Sequence, residues 1–158
     1  MLFRSRAVQP LIIALQDKVA EVRHEAAHAL GHLQDRRAAD ALSAAIKDPN
    51  TDVRAAAIEA LGSLELTEAP AALIAALADE NRDVRHSAAN ALGQIHDPKA
   101  VPGLIQLLKD TDPDVREQAV DALSEIRDNA AINALVSAMQ STDPNVRKRA
   151  AQALGERR

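Results

Sequence analysis

The sequence predicts an all-α protein, an α-solenoid of five two-helix repeats with a 31-residue period. The dipeptide Val-Arg recurs at a constant step of 31 residues, at positions 22–23, 53–54, 84–85, 115–116 and 146–147. Apolar residues recur at helical spacing inside each unit, and alanine and leucine supply most of the 47% apolar content. The chain is therefore expected to form a single domain, 1–158, with repeats at about 7–34, 35–65, 66–96, 97–127 and 128–158.

The first helix of each repeat is predicted over 7–16, 38–47, 69–78, 100–109 and 131–140. Its apolar positions follow the spacing i, i+3, i+4 and i+7, as in Val101, Leu104, Ile105 and Leu108. This spacing places them in one stripe on a helix. Pro70 falls in the third copy of this helix and is compatible with it only in the first turn.

The second helix of each repeat carries a similar stripe, formed in the first copy by Val22, Ala26, Leu30 and Leu33. Residues with a side-chain acceptor precede most helices and are predicted as N-caps. Before the second helices these are Asn50, Asn81, Asp112 and Asp143; before the first helices they are Asp35, Asp97 and Asp128. Val19 and Leu66 occupy equivalent positions but cannot cap, so the helix starts beside them are the least defined.

Glycines at 31, 62, 93 and 155 lie inside the second helices. Glycine costs a helix interior roughly 1 kcal/mol relative to alanine. We therefore expect a neighbouring helix to approach closely at these positions. Ser124 replaces glycine in the fourth copy.

The five arginines of the Val-Arg dipeptides form a column, Arg23, Arg54, Arg85, Arg116 and Arg147. Asp52, Asp83 and Asp114 lie two residues before three of them, and we expect these carboxylates to take part in a ladder of Arg–Asp and Arg–carbonyl hydrogen bonds across successive repeats. The alternative is a basic stripe that binds phosphates. The matching acidic column disfavours that alternative.

The pattern Asp-x-x-Val-Arg-x-x-Ala-Ala-x-Ala-Leu-Gly, nearly complete in residues 83–93, resembles the short HEAT-like repeats named after phycobilisome lyases. The resemblance covers residues 7–155. It implies a right-handed solenoid whose second helices line a concave surface. Members of this family serve as protein-binding scaffolds, as bilin lyase or chaperone subunits, and as domains appended to enzymes, so the fold alone does not select a function.

The candidate binding residues are the polar positions that vary between repeats on the second helix. They are His24, Glu25, His28, His32, Glu59, His86, Ser87, Asn90, Gln94, Glu117, Gln118, Asp121, Glu125, Lys148, Arg149 and Gln152. Their character changes from histidine-rich to acidic to mixed along the chain. This gradient favours an extended charged peptide or protein over a small molecule. The absence of tyrosine and tryptophan removes the usual hot-spot residues, and a solvated face without a ligand is the alternative.

Residues 24–28 read His-Glu-Ala-Ala-His, which matches the zinc-protease pattern His-Glu-x-x-His. The two alanines belong to the repeat frame and no distant third ligand accompanies the pattern, so we do not expect protease activity. The segment is also similar to the His-Glu repeats of deoxyhypusine hydroxylase, a family that needs several such dyads to hold two irons. Here one dyad is present, so no cofactor is expected, and His24, His28 and His32 are weak metal candidates.

The function expected from the sequence is a non-catalytic protein-interaction scaffold. The alternatives are a bilin-lyase-like chaperone subunit and, in third place, a metal-binding fragment resembling deoxyhypusine hydroxylase. Absence of cysteine excludes disulfides and thiol catalysis. A net charge of −4 and a single aromatic residue, Phe3, argue against nucleic acid. No apolar run is long enough for a membrane span, and a cytoplasmic protein is expected. No polar capping repeat is recognisable, so self-association through the solenoid ends is expected.

Overall fold

The structure is a computed structural model that describes residues 2–156, with side chains from residue 6 onward. The described part consists of ten α-helices joined by turns, and it contains no strand. The helices are α1 Leu2–Ala14, α2 Ala20–Leu33, α3 Ala39–Ala45, α4 Thr51–Ser63, α5 Ala71–Ala75, α6 Arg82–Ile95, α7 Val101–Leu107, α8 Pro113–Glu125, α9 Asn129–Ala138 and α10 Pro144–Glu156. Short 3-10 turns extend α3, α5 and α7. The predicted all-α class is confirmed.

The helices are arranged as a solenoid of antiparallel pairs. Each odd-numbered helix packs on the even-numbered helix that follows it, and each even-numbered helix packs on the next even-numbered helix. The core therefore runs as a continuous spine between two layers of helices rather than as one central globule. None of the described helices is both long enough and apolar enough to cross a membrane.

The even-numbered helices begin where the sequence predicted, because side-chain acceptors hold their first turns. Asn50, Asn81 and Asp112 each accept hydrogen bonds from two backbone N–H groups of the helix that follows. Val19 has no side-chain acceptor, so α2 begins without such a cap; the Asp17 carboxylate accepts the Val19 N–H at 2.8 Å, a bond that the capped repeats form as well. Each cap of this kind stabilises a helix by about 1 kcal/mol.

The odd-numbered helices differ from the prediction in their bounds. The α1 helix begins at Leu2 rather than Ala7 and contains Pro10 in its interior. The α5 helix begins at Ala71 rather than Ala69, because Pro70 has an extended backbone (φ −57°, ψ 140°) and lies outside the helix. The prediction that Pro70 sits in the first helical turn is therefore wrong. The predicted caps Asp35, Asp97 and Asp128 each accept a backbone N–H two residues on.

The glycines of the second helices mark the closest contacts between repeats. A Cβ atom on Gly31 would lie 3.0 Å from the Cα of Ala60, and one on Gly93 would lie 3.0 Å from the Cα of Ala122. At Gly62 the neighbouring backbone atom is the Cα of Ala91, at 3.2 Å. The neighbours are backbone atoms of a packed helix, which cannot move away independently. The predicted close approach is therefore confirmed at three of the four glycines.

Candidate functional site

One set of side-chain hydrogen bonds recurs in every repeat. It is made by the arginine row, Arg23, Arg54, Arg85, Arg116 and Arg147. Each of these side chains donates from Nη1 to the carbonyl oxygen six residues earlier in its own repeat. Four of them also bind a carboxylate of the following repeat. The row therefore joins the turn before each second helix to the neighbouring repeat.

The carboxylates that receive these arginines lie in the turns between the two helices of a repeat. Arg23 donates to Asp48 from Nε at 2.6 Å and from Nη2 at 2.8 Å, and Arg85 binds Asp110 in the same two-pronged way at 2.7 and 2.9 Å. Arg54 donates to Asp79 at 3.1 Å. The planar guanidinium matches the carboxylate in such pairs.

The carboxylates predicted from the sequence as partners of this row are the wrong ones. Asp52, Asp83 and Asp114 are exposed and do not accept a hydrogen bond from the arginine two residues later. The physical reason is helical geometry, since residues i and i+2 point to different sides of a helix. Asp83 and Asp114 instead lie 3.4 and 3.9 Å from the Arg82 guanidinium.

The last repeat departs from this pattern. Ser141 occupies the position of Asp48, Asp79 and Asp110 and offers no carboxylate, so Arg116 binds Asp143 instead, from Nε at 2.8 Å. Arg147 keeps its bonds to the carbonyls of its own repeat. Within the residues that the structure describes, its Nε and Nη2 have no acceptor.

Three arginines of the row lower the pKa of the aspartates that they bind. Hydrogen bonds from Arg23, Arg85 and Arg116 hold the pKa of Asp48, Asp110 and Asp143, respectively, below the usual value for an aspartate. Burial of Asp48 and Asp110 opposes this effect but does not outweigh it. These carboxylates are therefore charged at neutral pH and stabilise the folded state there.

Asp97 accepts backbone hydrogen bonds from two repeats, and the sequence predicted only one of them. It caps its own first helix, and its Oδ2 also accepts the backbone N–H of Ala69 in the preceding repeat at 2.8 Å. Burial raises the pKa of this carboxyl, but the N–H groups of Ala69 and Lys99 lower it further, so its pKa lies below the usual value. Leu66 stands at the equivalent position of the third repeat and has no side-chain acceptor. In the sequence, this missing cap was the sign that another residue binds the backbone N–H groups there.

The sixteen candidate binding residues lie along the five even-numbered helices, and we call this surface the second-helix face. All sixteen are exposed or half-buried, whereas most of the alanines and leucines between them are buried. The surface is therefore continuous and polar, on a frame of closely packed helices. Three parts of it contain side chains that contact one another.

The first part is the histidine row of α2. The rings of His24 and His28 have centroids 4.9 Å apart, and those of His28 and His32 lie 6.3 Å apart. His24 Nδ1 lies 3.3 Å from Glu25 Oε1. Among the described residues, no three His, Cys, Asp or Glu side chains come together in a way that could hold a metal ion.

The second part joins α4 and α6. Ser87 donates from its hydroxyl to Glu59 Oε1 at 3.3 Å. Beside Glu59, a cleft of about 390 Å³ lies on the surface between α2 and α4. It is also lined by His28 and His32. A side chain of a bound peptide could enter this cleft and meet a carboxylate and two imidazoles.

The third part is an ionic cluster around Arg149. Its guanidinium binds the carboxylates of Glu117, at 2.7 Å from Nε, and of Asp121, both on the preceding second helix. Asp121 first, and then Glu117, raise the pKa of Arg149. A cleft of about 300 Å³ lies next to this cluster, between α6 and α8, and is also lined by His86 and Gln118. Arg149 is thus already engaged inside the chain.

Two overlapping stretches, residues 8–83 and 70–155, match the sequence profile of HEAT repeats. Together they span nearly the whole chain, so the chain belongs to the HEAT-repeat family. Among curated protein sequences, none gives a significant match.

Solved structures with the same architecture include one natural complex of related sequence. The complex of CpcE and CpcF of phycocyanin lyase from Nostoc sp. PCC7120 is 28% identical, with a TM-score of 0.79, over 93% of this chain and 63% of that chain. The present chain therefore spans less than two thirds of that relative. The predicted HEAT-like repeat protein is confirmed.

Two more distant structures share the solenoid fold alone. A designed armadillo repeat protein in complex with the peptide (KR)4 is 20% identical, with a TM-score of 0.70, over 98% of this chain and 83% of that chain. Human deoxyhypusine hydroxylase in complex with glycerol is 22% identical, with a TM-score of 0.56, over 96% and 73% of the two chains.

Proposed function

We propose that this chain is a non-catalytic protein-interaction scaffold that binds an extended protein segment along the second-helix face. The observation that carries the proposal is the row of sixteen accessible polar side chains on closely packed helices. Helix-to-helix contacts and the arginine row hold these side chains at fixed spacing. A rigid, pre-formed surface of this kind loses little entropy on binding.

The close packing of the second helices also supports a concave shape for this face. The even-numbered helices touch through glycine and alanine, with no side chain on the glycine to separate them. The odd-numbered helices pack on one another much less extensively than the even-numbered helices do. A stack with one tight layer and one loose layer bends toward the tight one, as in other repeat solenoids.

The charge of the second-helix face favours a basic partner. The face carries five carboxylates and two cationic side chains, and Arg149 pairs with two of the carboxylates, Glu117 and Asp121. Three carboxylates therefore remain against one cationic side chain, Lys148. Carboxylates at intervals along a groove attract lysine and arginine side chains and speed their encounter. We therefore take the partner to be an extended segment rich in basic residues.

Fluorescence anisotropy with a labelled peptide of sequence (Lys-Arg)4 tests this proposal. We expect binding that weakens with added salt, and no binding of an acidic peptide of equal length. Glu59→Lys on the second-helix face should weaken binding by about tenfold. The matched control is Asp40→Lys, which makes the same charge change on the exposed side of α3. Equal effects of the two variants, or no binding at all, would contradict the proposal.

A bilin-lyase-like chaperone subunit is the second candidate, and the similarity to the CpcE–CpcF complex favours it. Its partners would be a bilin and a phycobiliprotein subunit. The measurement is the visible absorption spectrum of a free bilin on addition of the protein. A red shift with increased absorbance, lost in a variant of the second-helix face such as His28→Ala, would select this function over the simple scaffold.

The resemblance of the His24-Glu25 segment to a hydroxylase repeat has its own test. Elemental mass spectrometry on tag-free protein purified without chelator measures bound metal directly. Quantification needs amino-acid analysis, because the chain has no Trp or Tyr. Near-stoichiometric iron, manganese or zinc that is lost in a His24→Ala/His28→Ala variant would contradict the non-catalytic proposal.

A further inference from the structure

The large apolar side chains that are exposed in the described part of the chain are confined to two surfaces. One is the outer face of the α1–α2 pair and the other is the outer face of the α9–α10 pair. The six residues are Ile13, Val19 and Val22 on the first surface and Ile132, Val136 and Met139 on the second. Everywhere between them, large apolar residues are buried or half-buried.

Several of these positions are covered in the other repeats by the neighbouring repeat, although the counterparts of Ile13, namely Ala44, Ala75 and Gln106, are exposed. Val22 is 40% exposed, whereas its counterparts Val53, Val84 and Val115 are at most 1% exposed. On the opposite surface, Met139 is 37% exposed, and its counterpart Leu77 is 5% exposed because it packs beside Gly103 of the next repeat. The two outer faces are therefore the two halves of an interface that the molecule already forms several times.

The polar residues of the two outer faces match in the same way. Arg147 has Nε and Nη2 without an acceptor among the described residues, although the equivalent atoms of Arg23 and Arg85 bind an aspartate of the next repeat. Asp17 stands at the first-repeat position of those aspartates, Asp48 and Asp110. Like them it accepts a backbone N–H two residues on, but within the described part it receives no arginine side chain from a preceding repeat.

The steric features of the two faces match as well. A Cβ on Gly155 would meet no atom within 4 Å, whereas the equivalent Gly31 and Gly93 are covered by Ala60 and Ala122. Ala29, the first-repeat counterpart of those alanines, is half-buried on the α1–α2 outer face. Gly155 on one face is therefore uncovered. Ala29 on the other face is the counterpart of the alanines that cover such glycines within the molecule.

We propose that a second copy of this chain stacks end to end on the first, with the α9–α10 outer face of one copy against the α1–α2 outer face of the next. The internal interfaces fix the register. Arg147 binds Asp17 of the partner subunit, Gly155 packs on Ala29 of the partner subunit, and Met139 covers the partner's Pro10. Because the two faces differ, the contact is heterologous and continues from copy to copy.

Sedimentation equilibrium with interference optics measures the association, since the chain lacks Trp and Tyr. Between about 10 µM and 1 mM, we expect the average mass to rise without a plateau at the dimer. A monomer over this range overturns the proposal. A plateau at the dimer also overturns it, because it would indicate a symmetric contact.

Gly155→Leu tests the steric part of the interface. The added side chain meets open space within one copy but would collide with Ala29 of the partner subunit in the stack. We expect at least a tenfold weaker association with an unchanged circular dichroism spectrum. The matched control is Gln106→Leu, an exposed position of α7 outside the second-helix face, which should not weaken association.

A charge exchange tests the register. D17R and R147D should each associate more weakly than the wild type, because each places like charges at the contact. Mixed in equal amounts, they should recover association, since every contact in an alternating stack then joins opposite charges. A mixture no stronger than its components overturns the register. If D17R proves unfolded by circular dichroism, Gly155→Leu still decides whether these faces are used.

Discussion

The aspartates that bind the arginine row should contribute more to the free energy of unfolding than the aspartates that the sequence suggested as partners. Asp110 binds Arg85 through two hydrogen bonds and is 8% exposed, whereas Asp83 is 70% exposed. We expect Asp110→Ala to lower the free energy of unfolding by about 2–3 kcal/mol, because it leaves a charged group unpaired. Asp83→Ala should cost less than about 1 kcal/mol, the value of an acidic side chain in the first helical turn.

Urea denaturation followed by circular dichroism measures both variants. Equal losses of stability for Asp110→Ala and Asp83→Ala would contradict the assignment of Asp110 as the partner. The sequence could not distinguish the two, because both aspartate columns recur with the same period as the arginines. The choice depends on the path of the turn before the second helix, which brings the carboxylate toward the preceding repeat.

The same aspartates predict how stability depends on pH. The pKa values of Asp48, Asp110 and Asp143 are lowered in the folded state, so the unfolded chain binds protons first as the pH falls. Their contribution is therefore complete above the ordinary aspartate pKa of about 4 and is lost progressively below it. We expect the melting temperature to be nearly constant from pH 7 to about 5 and to fall steeply below about pH 4.

Thermal unfolding at a series of pH values checks this expectation. Asp110→Asn is the informative variant: it should melt at a lower temperature at pH 7 and lose less stability between about pH 4 and 2. A steep loss that begins near pH 6 would contradict the role given to the aspartates.

At the level of helices, the glycine column predicts opposite effects of one substitution at two positions. Gly93→Ala places a methyl group 3.0 Å from the Cα of Ala122, and the helices must separate to admit it. We expect a loss of about 1–3 kcal/mol, since overpacking outweighs the gain in helix propensity. Gly155→Ala meets open space and should be neutral or stabilising by up to about 0.5 kcal/mol.

Chemical denaturation of the two variants under the same conditions gives the comparison. A stabilising effect of Gly93→Ala would mean that the helices are further apart than the structure shows. The contact itself was predictable from sequence, because glycine inside a helix needs compensation. That Gly155 is uncovered followed from its neighbours in space, which the sequence alone does not supply.

The even-numbered helices were more predictable than the odd-numbered ones for a physical reason. Their caps lie directly before them, as with Asn81 and Asp112, so local chemistry determines the start. In the third repeat no local acceptor exists, and Asp97 of the next repeat binds the Ala69 N–H instead. A start that depends on a residue 28 positions away cannot be deduced from local pattern.

For the whole molecule, rigidity along the solenoid is the property that links fold and proposed function. The arginine row and the glycine contacts connect each repeat only to its neighbours, so the second-helix face keeps a fixed spacing without a central core. The proposed binding along this face and the proposed stacking through the outer faces would use different surfaces. A partner could therefore bind every copy in a stack, with avidity greater than that of a single copy.

Mapping the bound (Lys-Arg)4 peptide by amide chemical-shift changes in ¹⁵N-labelled protein tests the central claim most directly. We predict amide chemical-shift changes along the second-helix face, including Glu59, Asn90 and Glu125. Exposed first-helix residues such as Asp40 and Gln106 should change little. Shifts confined to the first helices, or none at saturating peptide, would contradict the claim that the second helices form the binding surface.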